Sequence, residues 1–170
     1  GYIGQGPKVD EFEKQLGEYF GNNKVITTNA GTSALHLALH LLKKPYRKTT
    51  VFEGFGSSTE YWPGIEEGDE ILATALTCTA SNWPILANGL KIKWVDIDPT
   101  KIRIDFKKEH GWSPSLIEDG AHSIGTKYKG KYLGNHGNFV MNSLQAIKHV
   151  TSIDGGVLYC PHKELYERAK

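Results

Sequence analysis

Apolar positions along the chain switch repeatedly between a helical period and short β-branched runs. Val9, Phe12, Leu16, Tyr19 and Phe20 recur at helical spacing and stop at Gly21-Asn22-Asn23, which predicts a helix over 9–20. Lys24 to Thr28 is a short β-branched strand, followed by Asn29-Ala30-Gly31-Thr32-Ser33 and a helix from Ala34 to Lys43 that Pro45 ends. Residues 45–64 are aromatic, Gly/Ser-punctuated and aperiodic, and read as a long excursion rather than an element. Strands are predicted at Glu70–Thr74, Ile92–Asp96, Leu116–Glu118, Phe139–Ser143 and Gly156–Cys160. A helix from Ala80 to Asn88 stops at Gly89, a surface hairpin turns at Gly130, and Pro161 opens a last helix.

Strand–helix–strand alternation of this kind predicts an α/β fold, a mostly parallel sheet with helices on its faces. At 170 residues the chain can build one such domain with a real core, and neither a repeat nor an internal linker divides it. Twenty basic residues balance 19 acidic ones, so no electrostatic footprint for nucleic acid or an anionic membrane exists at chain level. No apolar run approaches the ~20 residues of a membrane span, and residues 1–8 lack the shape of a secretory leader. Cys78 and Cys160 stand in apolar surroundings without a CxxC partner, which predicts two free, buried thiols in a cytoplasmic protein.

The densest chemistry lies between Ser143 and Gly156. Lys148 sits in a polar segment between two apolar runs, Phe139–Met141 and Val157–Tyr159, where a lysine is costly unless paired, hydrated or covalently used. Upstream, Glu118-Asp119 closes a strand and His122 follows three residues later. A loop lysine, a strand-end aspartate and a nearby histidine together suit pyridoxal 5'-phosphate. The lysine bonds covalently, the carboxylate keeps the pyridine nitrogen protonated, and the imidazole reaches the ring. Gly31-Thr32-Ser33 before a helix offers amides and hydroxyls to a phosphate, though Thr or Ser there can equally be an ordinary N-cap. Ser143, at the end of its strand, can face the same phosphate or be a surface-turn serine. Asp96-Ile97-Asp98 has metal-motif spacing but better suits a strand ending in a turn at Pro99. His36 and His40 have zinc-pair spacing without a third ligand, so no metal is expected.

Six stretches line up in order with one family. They are Gly4–Glu13, Asn29–Leu35, Gly68–Ile71, Val95–Pro99, Glu118–His122 and Ser143–Lys148. On these the chain resembles the DegT/StrS-type sugar-nucleotide aminotransferases, which are fold-type-I pyridoxal-phosphate enzymes. The resemblance implies the incomplete large, cofactor-binding domain of such an enzyme over 1–170, with no second domain. It implies that Lys148 carries the covalent link and then moves the proton, and that Asp119 pairs with the pyridinium nitrogen. It further places His122 near the ring's 3-oxygen, Thr32, Ser33 and Ser143 on the 5'-phosphate, with Gly31 among the cofactor-binding residues, and Cys78 or its neighbour where relatives stack an aromatic ring.

Two departures accompany the resemblance. The 16 residues between Pro99 and Leu116 stand where the family carries a further strand–helix unit, and 45–64 replaces a short connector. The function implied is transfer of an amino group from a donor such as glutamate to a keto group on a nucleotide-linked deoxysugar, by a homodimer. Lys148 itself argues against the family's dehydratase branch, which has histidine there. The alternative is a truncated, non-catalytic remnant that binds cofactor weakly or serves in assembly.

Overall fold

The computed structural model describes residues 5–52, 56–96, 115–128, 130–132 and 137–170. The first helix, α1 (Pro7–Phe20), starts on a proline and ends on Gly21 in the left-handed region, φ 71°. Its Glu13 is buried yet satisfied. It accepts from the Thr27 amide at 2.8 Å and hydroxyl at 3.0 Å, and from Lys170 Nζ at 2.7 Å, pinning α1 to β1 (Val25–Thr28).

The core sheet has the order β1–β10–β9–β6, with β6 (Ile117–Asp119), β9 (Phe139–Ser143) and β10 (Gly156–Tyr159). β10 runs antiparallel to both β1 and β9, and β6 is parallel to β9. The α/β expectation holds, and the sheet is mixed: β1, β9 and β6 share one direction and β10 alone is reversed. Every residue of β9 and β10 is buried, the apolar runs Phe139–Met141 and Val157–Tyr159 together with the polar Asn142 and Ser143. Helix α2 (Gly31–Leu42) packs across this sheet through Ala34, Leu35, Ala38, Leu41 and Leu42, joined by Phe139, Met141 and Leu158. On the opposite face Phe20, Val25, Val140, Leu144, Val157 and Tyr159 form a second cluster under α1.

A separate parallel pair, β4 (Glu70–Thr74) and β5 (Lys91–Val95), is joined by α3 (Thr79–Ala87). Among the described residues no ladder connects it to β6; Leu39, Ile85 and Leu90 tie it to α2. The chain adds a small antiparallel pair, β7 (Lys127–Tyr128) and β8 (Lys131–Tyr132), around Gly130, and a closing helix α4 (Lys163–Ala169). No described helix is long and apolar enough to cross a membrane.

Four expectations need correction. Residues 45–64 are not an aperiodic excursion: β2 (Tyr46–Phe52) and β3 (Gly56–Trp62) form an antiparallel ribbon. A two-stranded ribbon has no continuous buried face to impose a period. Its apolar anchor is the first rung, where Tyr46 and Trp62 pair and Trp62 Nε1 donates to the last-turn carbonyl of Leu42 at 2.8 Å. Helix α2 begins at Gly31, three residues early, because the Ala30 carbonyl already accepts from Ser33 and Ala34. Helix α4 opens at Lys163 behind His162, not at Pro161. Cys78 is exposed, as the residue preceding α3, while Cys160 is buried as expected and both thiols are free. Of the proposed Asp96–Asp98 turn, Asp98 lies outside the described residues. His36 and His40 are both exposed on α2.

Candidate active site

Because β1, β6 and β9 point the same way, their carboxyl ends fall on one edge of the sheet, beside the start of the reversed β10. Crevices at such edges are where open α/β sheets hold ligands. A cavity of about 670 Å³ opens there, within the range of small-molecule sites. Its walls take Ala30, Gly31 and Thr32 from the start of α2, and Thr74 from the end of β4. Asp119 comes from the end of β6, His122 from the turn after it, Ser143 from the end of β9, and Lys148 from the following loop.

One catalytic candidate and six cofactor candidates therefore share one cavity: Lys148 with Gly31, Thr32, Cys78, Asp119, His122 and Ser143. Ser33 does not line it; its amide donates to the Ala30 carbonyl at 3.1 Å within the first turn of α2. Neither Thr32 nor Ser33 is the N-cap of α2. Ala30 is the N-cap, no side chain caps α2, and the Gly31 and Thr32 amides have no intrahelical acceptor. An α-helix of 12 residues thus presents open donors and the positive end of its dipole to the cavity.

Gly156 explains why these parts meet so closely. A Cβ there would stand 2.3 Å from the Ala30 carbonyl oxygen and 2.6 Å from the Gly31 nitrogen, so only glycine lets β10 press against the entry to α2. Ser143 is also close, its Cβ 3.0 Å from where a Gly31 Cβ would be. Asp154 also faces the cavity, with Oδ1 accepting from the Gly155 amide at 2.9 Å.

Lys148 Nζ lies 2.8 Å from His122 Nε2. An ammonium only donates, so when Lys148 is charged Nε2 accepts and the imidazole proton sits on Nδ1. Asp119 is held from two sides. Its Oδ1 accepts from the Ala121 amide at 3.1 Å and its Oδ2 from Ser81 Oγ at 2.5 Å. Sequence reasoning missed Ser81, because a hydroxyl in the first turn of α3 has no spacing relation to a carboxylate 38 residues away. Cys78 occupies the cavity wall where a stacking ring was expected. Cys160, under the sheet and away from the cavity, has its thiol pushed up to about 12 by burial.

The donor set fits a phosphorylated pyridine aldehyde: an amine to bond it, a carboxylate for a ring nitrogen, and hydroxyls with free amides for a dianion. The DegT/DnrJ/EryC1/StrS aminotransferase family profile matches residues 1–53, 58–110 and 107–170, and the chain belongs to that family. Aminotransferases of this family use pyridoxal phosphate. The chain is 28% identical over 197 residues to the UDP-4-amino-4,6-dideoxy-N-acetyl-beta-L-altrosamine transaminase of Campylobacter jejuni, covering 97% of this chain and 46% of that one. Its fold is similar to AtS13 from Actinomadura melliaura, at TM-score 0.78 and 38% identity, over 99% of this chain and 50% of that one. The sugar aminotransferase CalS13 from Micromonospora echinospora aligns at TM-score 0.77 and 31% identity, with 99% and 50% covered. The chain spans about half the length of the relatives it matches.

Proposed function

We propose that residues 1–170 form the cofactor-binding large domain of an aminotransferase acting on a nucleotide-linked keto-deoxysugar, with an amino acid such as glutamate as donor. The observation that carries this is the convergence of Lys148, Asp119 and the uncapped start of α2 on one cavity. Thr32, Ser143 and the Gly31 and Thr32 amides are the groups to hold the phosphate. Ser33, outside the wall, contributes to the helix start rather than to contact. Asp119 would balance a protonated ring nitrogen, and Cys78, on the same cavity wall, would take the place of an aromatic side chain. Bound pyridoxal phosphate supplies a conjugated electron sink for the donor's α-carbon.

Lys148 anchors the cofactor through Nζ. With the cofactor bound, Nζ would also be the group placed to hold and move a proton beside it. His122, 2.8 Å from Nζ, receives a proton from the lysine ammonium as it becomes a nucleophile. In the single chain Cys78, Asp119 and His122 are exposed, so water reaches the reacting groups. Leu76, Ile147 and Ile153, the last two flanking Lys148 in sequence, are about four-fifths exposed. A second copy of the chain covering these apolar side chains would exclude water and complete a homodimer. Cofactor binding without turnover is the second reading, favoured by that same exposure.

Incubation with pyridoxal phosphate followed by borohydride reduction tests the assignment. The peptide containing Lys148 should gain the reduced cofactor's mass, and Lys148→Ala should lose that adduct while the fold stays intact. Adduct on other lysines and none on Lys148 refutes the site. Amino transfer to a nucleotide-linked ketosugar separates the enzyme from the binding-only reading.

A further inference from the structure

Asp119 ends its strand at an exposed position, where a carboxylate ordinarily rotates freely. Here it cannot. The Ala121 amide fixes Oδ1, and the half-buried Ser81 hydroxyl fixes Oδ2 at 2.5 Å from a different layer of the fold. Ser81 Oγ in turn accepts from Thr77 Oγ1 at 3.2 Å, so its own proton is directed to the carboxylate. Thr77, Ser81 and Asp119 all line the cavity. A carboxylate has about four lone-pair positions, and two are taken by these donors. The remaining ones have a single fixed orientation.

We propose that Ser81 is a positioning residue for the cofactor's ring nitrogen. It acts through Asp119, and Thr77 orients its hydroxyl. The proposal rests on the pyridoxal-phosphate reading of the cavity. Donation to Oδ2 fixes the rotation of the carboxylate and leaves a lone pair directed toward a pyridinium N–H. Ser81→Ala removes the donor without adding bulk, and Ser81→Thr keeps it.

The test compares two cofactors on the purified chain by equilibrium titration. One is pyridoxal phosphate, the other its analogue with a ring carbon in place of the pyridine nitrogen. Ser81→Ala should weaken pyridoxal phosphate about tenfold, the size of one charge-assisted hydrogen bond. The nitrogen-free analogue should bind as before, and Ser81→Thr should restore the natural cofactor. In an Asp119→Ala background Ser81→Ala should change nothing further. Equal weakening of both cofactors would show a merely structural serine and overturn the proposal, as would no weakening of either. If the unaltered chain binds neither cofactor and yields no borohydride-stable adduct, the cavity reading itself is wrong and the proposal goes with it.

Discussion

Gly156→Ala tests whether the meeting of β10 with the start of α2 is a hard steric requirement. The added methyl would lie 2.3 Å from the Ala30 oxygen, 2.4 Å from its carbonyl carbon and 2.6 Å from the Gly31 nitrogen. All three are backbone atoms, and relief needs a shift of about 1 Å to reach ordinary contact. Neither side yields easily. Ala30 is held by the Thr28 hydroxyl at 2.8 Å and by two helix amides, and Gly156 is paired with Thr28 and Ser143 on either side. Overpacking of this kind costs about 1–3 kcal/mol, and a backbone-only clash belongs at the upper end. Replacing glycine in a strand returns about 0.5–1 kcal/mol of chain entropy. The net loss is about 2 kcal/mol, or roughly 1 M in a urea midpoint at a slope of about 2 kcal/mol/M. Gly21→Ala is the control, since φ there is 71° but nothing lies within 4 Å, so only the left-handed backbone penalty of about 1 kcal/mol applies. Paired urea titrations decide the matter: Gly156→Ala costing no more than Gly21→Ala refutes the steric argument.

Three further outcomes follow from the cysteines. A thiol reagent at neutral pH should label Cys78 at once and Cys160 only on unfolding; equal labelling in the native state contradicts the burial of Cys160. Burial raises the Cys160 pKa from an ordinary 9.0 to about 12 in the folded chain. The unfolded chain therefore loses that proton first. The contribution to stability is complete below pH 9 and falls as pH rises toward 12, by up to about 1.4 kcal/mol per unit. Cys160→Ala should flatten this slope, and an unchanged alkaline unfolding profile would exclude the thiol as its source. Cys78→Phe should tighten pyridoxal-phosphate binding about three- to tenfold by supplying a ring, as aromatic contacts contribute about 0.5–1.5 kcal/mol; unchanged affinity would mean Cys78 does not face the cofactor ring.

How much of this was readable in the sequence depends on how many residues each feature occupies. The apolar runs Phe139–Met141 and Val157–Tyr159 and the leucine-rich face of α2 announce themselves, because burial dictates each position. Lys148 was legible for the complementary reason, a cation set between two buried strands. The β2–β3 ribbon was not, because its order comes from a backbone ladder and one Tyr46–Trp62 rung. The start of α2 was misplaced by three residues because a backbone carbonyl, not a hydroxyl, begins it. Ser81 was invisible: its importance arises only once β6 and α3 are brought together, which no local pattern encodes. The exposure of Cys78 was hidden similarly, since its apolar sequence neighbours Ala75 and Leu76 are themselves exposed.

The absence of a described ladder between β4 and β6 has a consequence for how the molecule comes apart. Among the described residues the β4–α3–β5 unit is attached through packing on α2 and Ile117 and through the Ser81–Asp119 hydrogen bond, with no rungs shared with the core sheet. It can therefore open as a cooperative unit at lower free energy than β9 and β10, whose amides lie between paired strands. A ligand touching both Cys78 and Lys148 would span the seam, because those residues belong to the two separately stabilised parts. Its binding energy would then appear as slowed amide exchange in β4 and β5, far beyond the residues it contacts. Occupancy of this cavity would in that sense be a fastening.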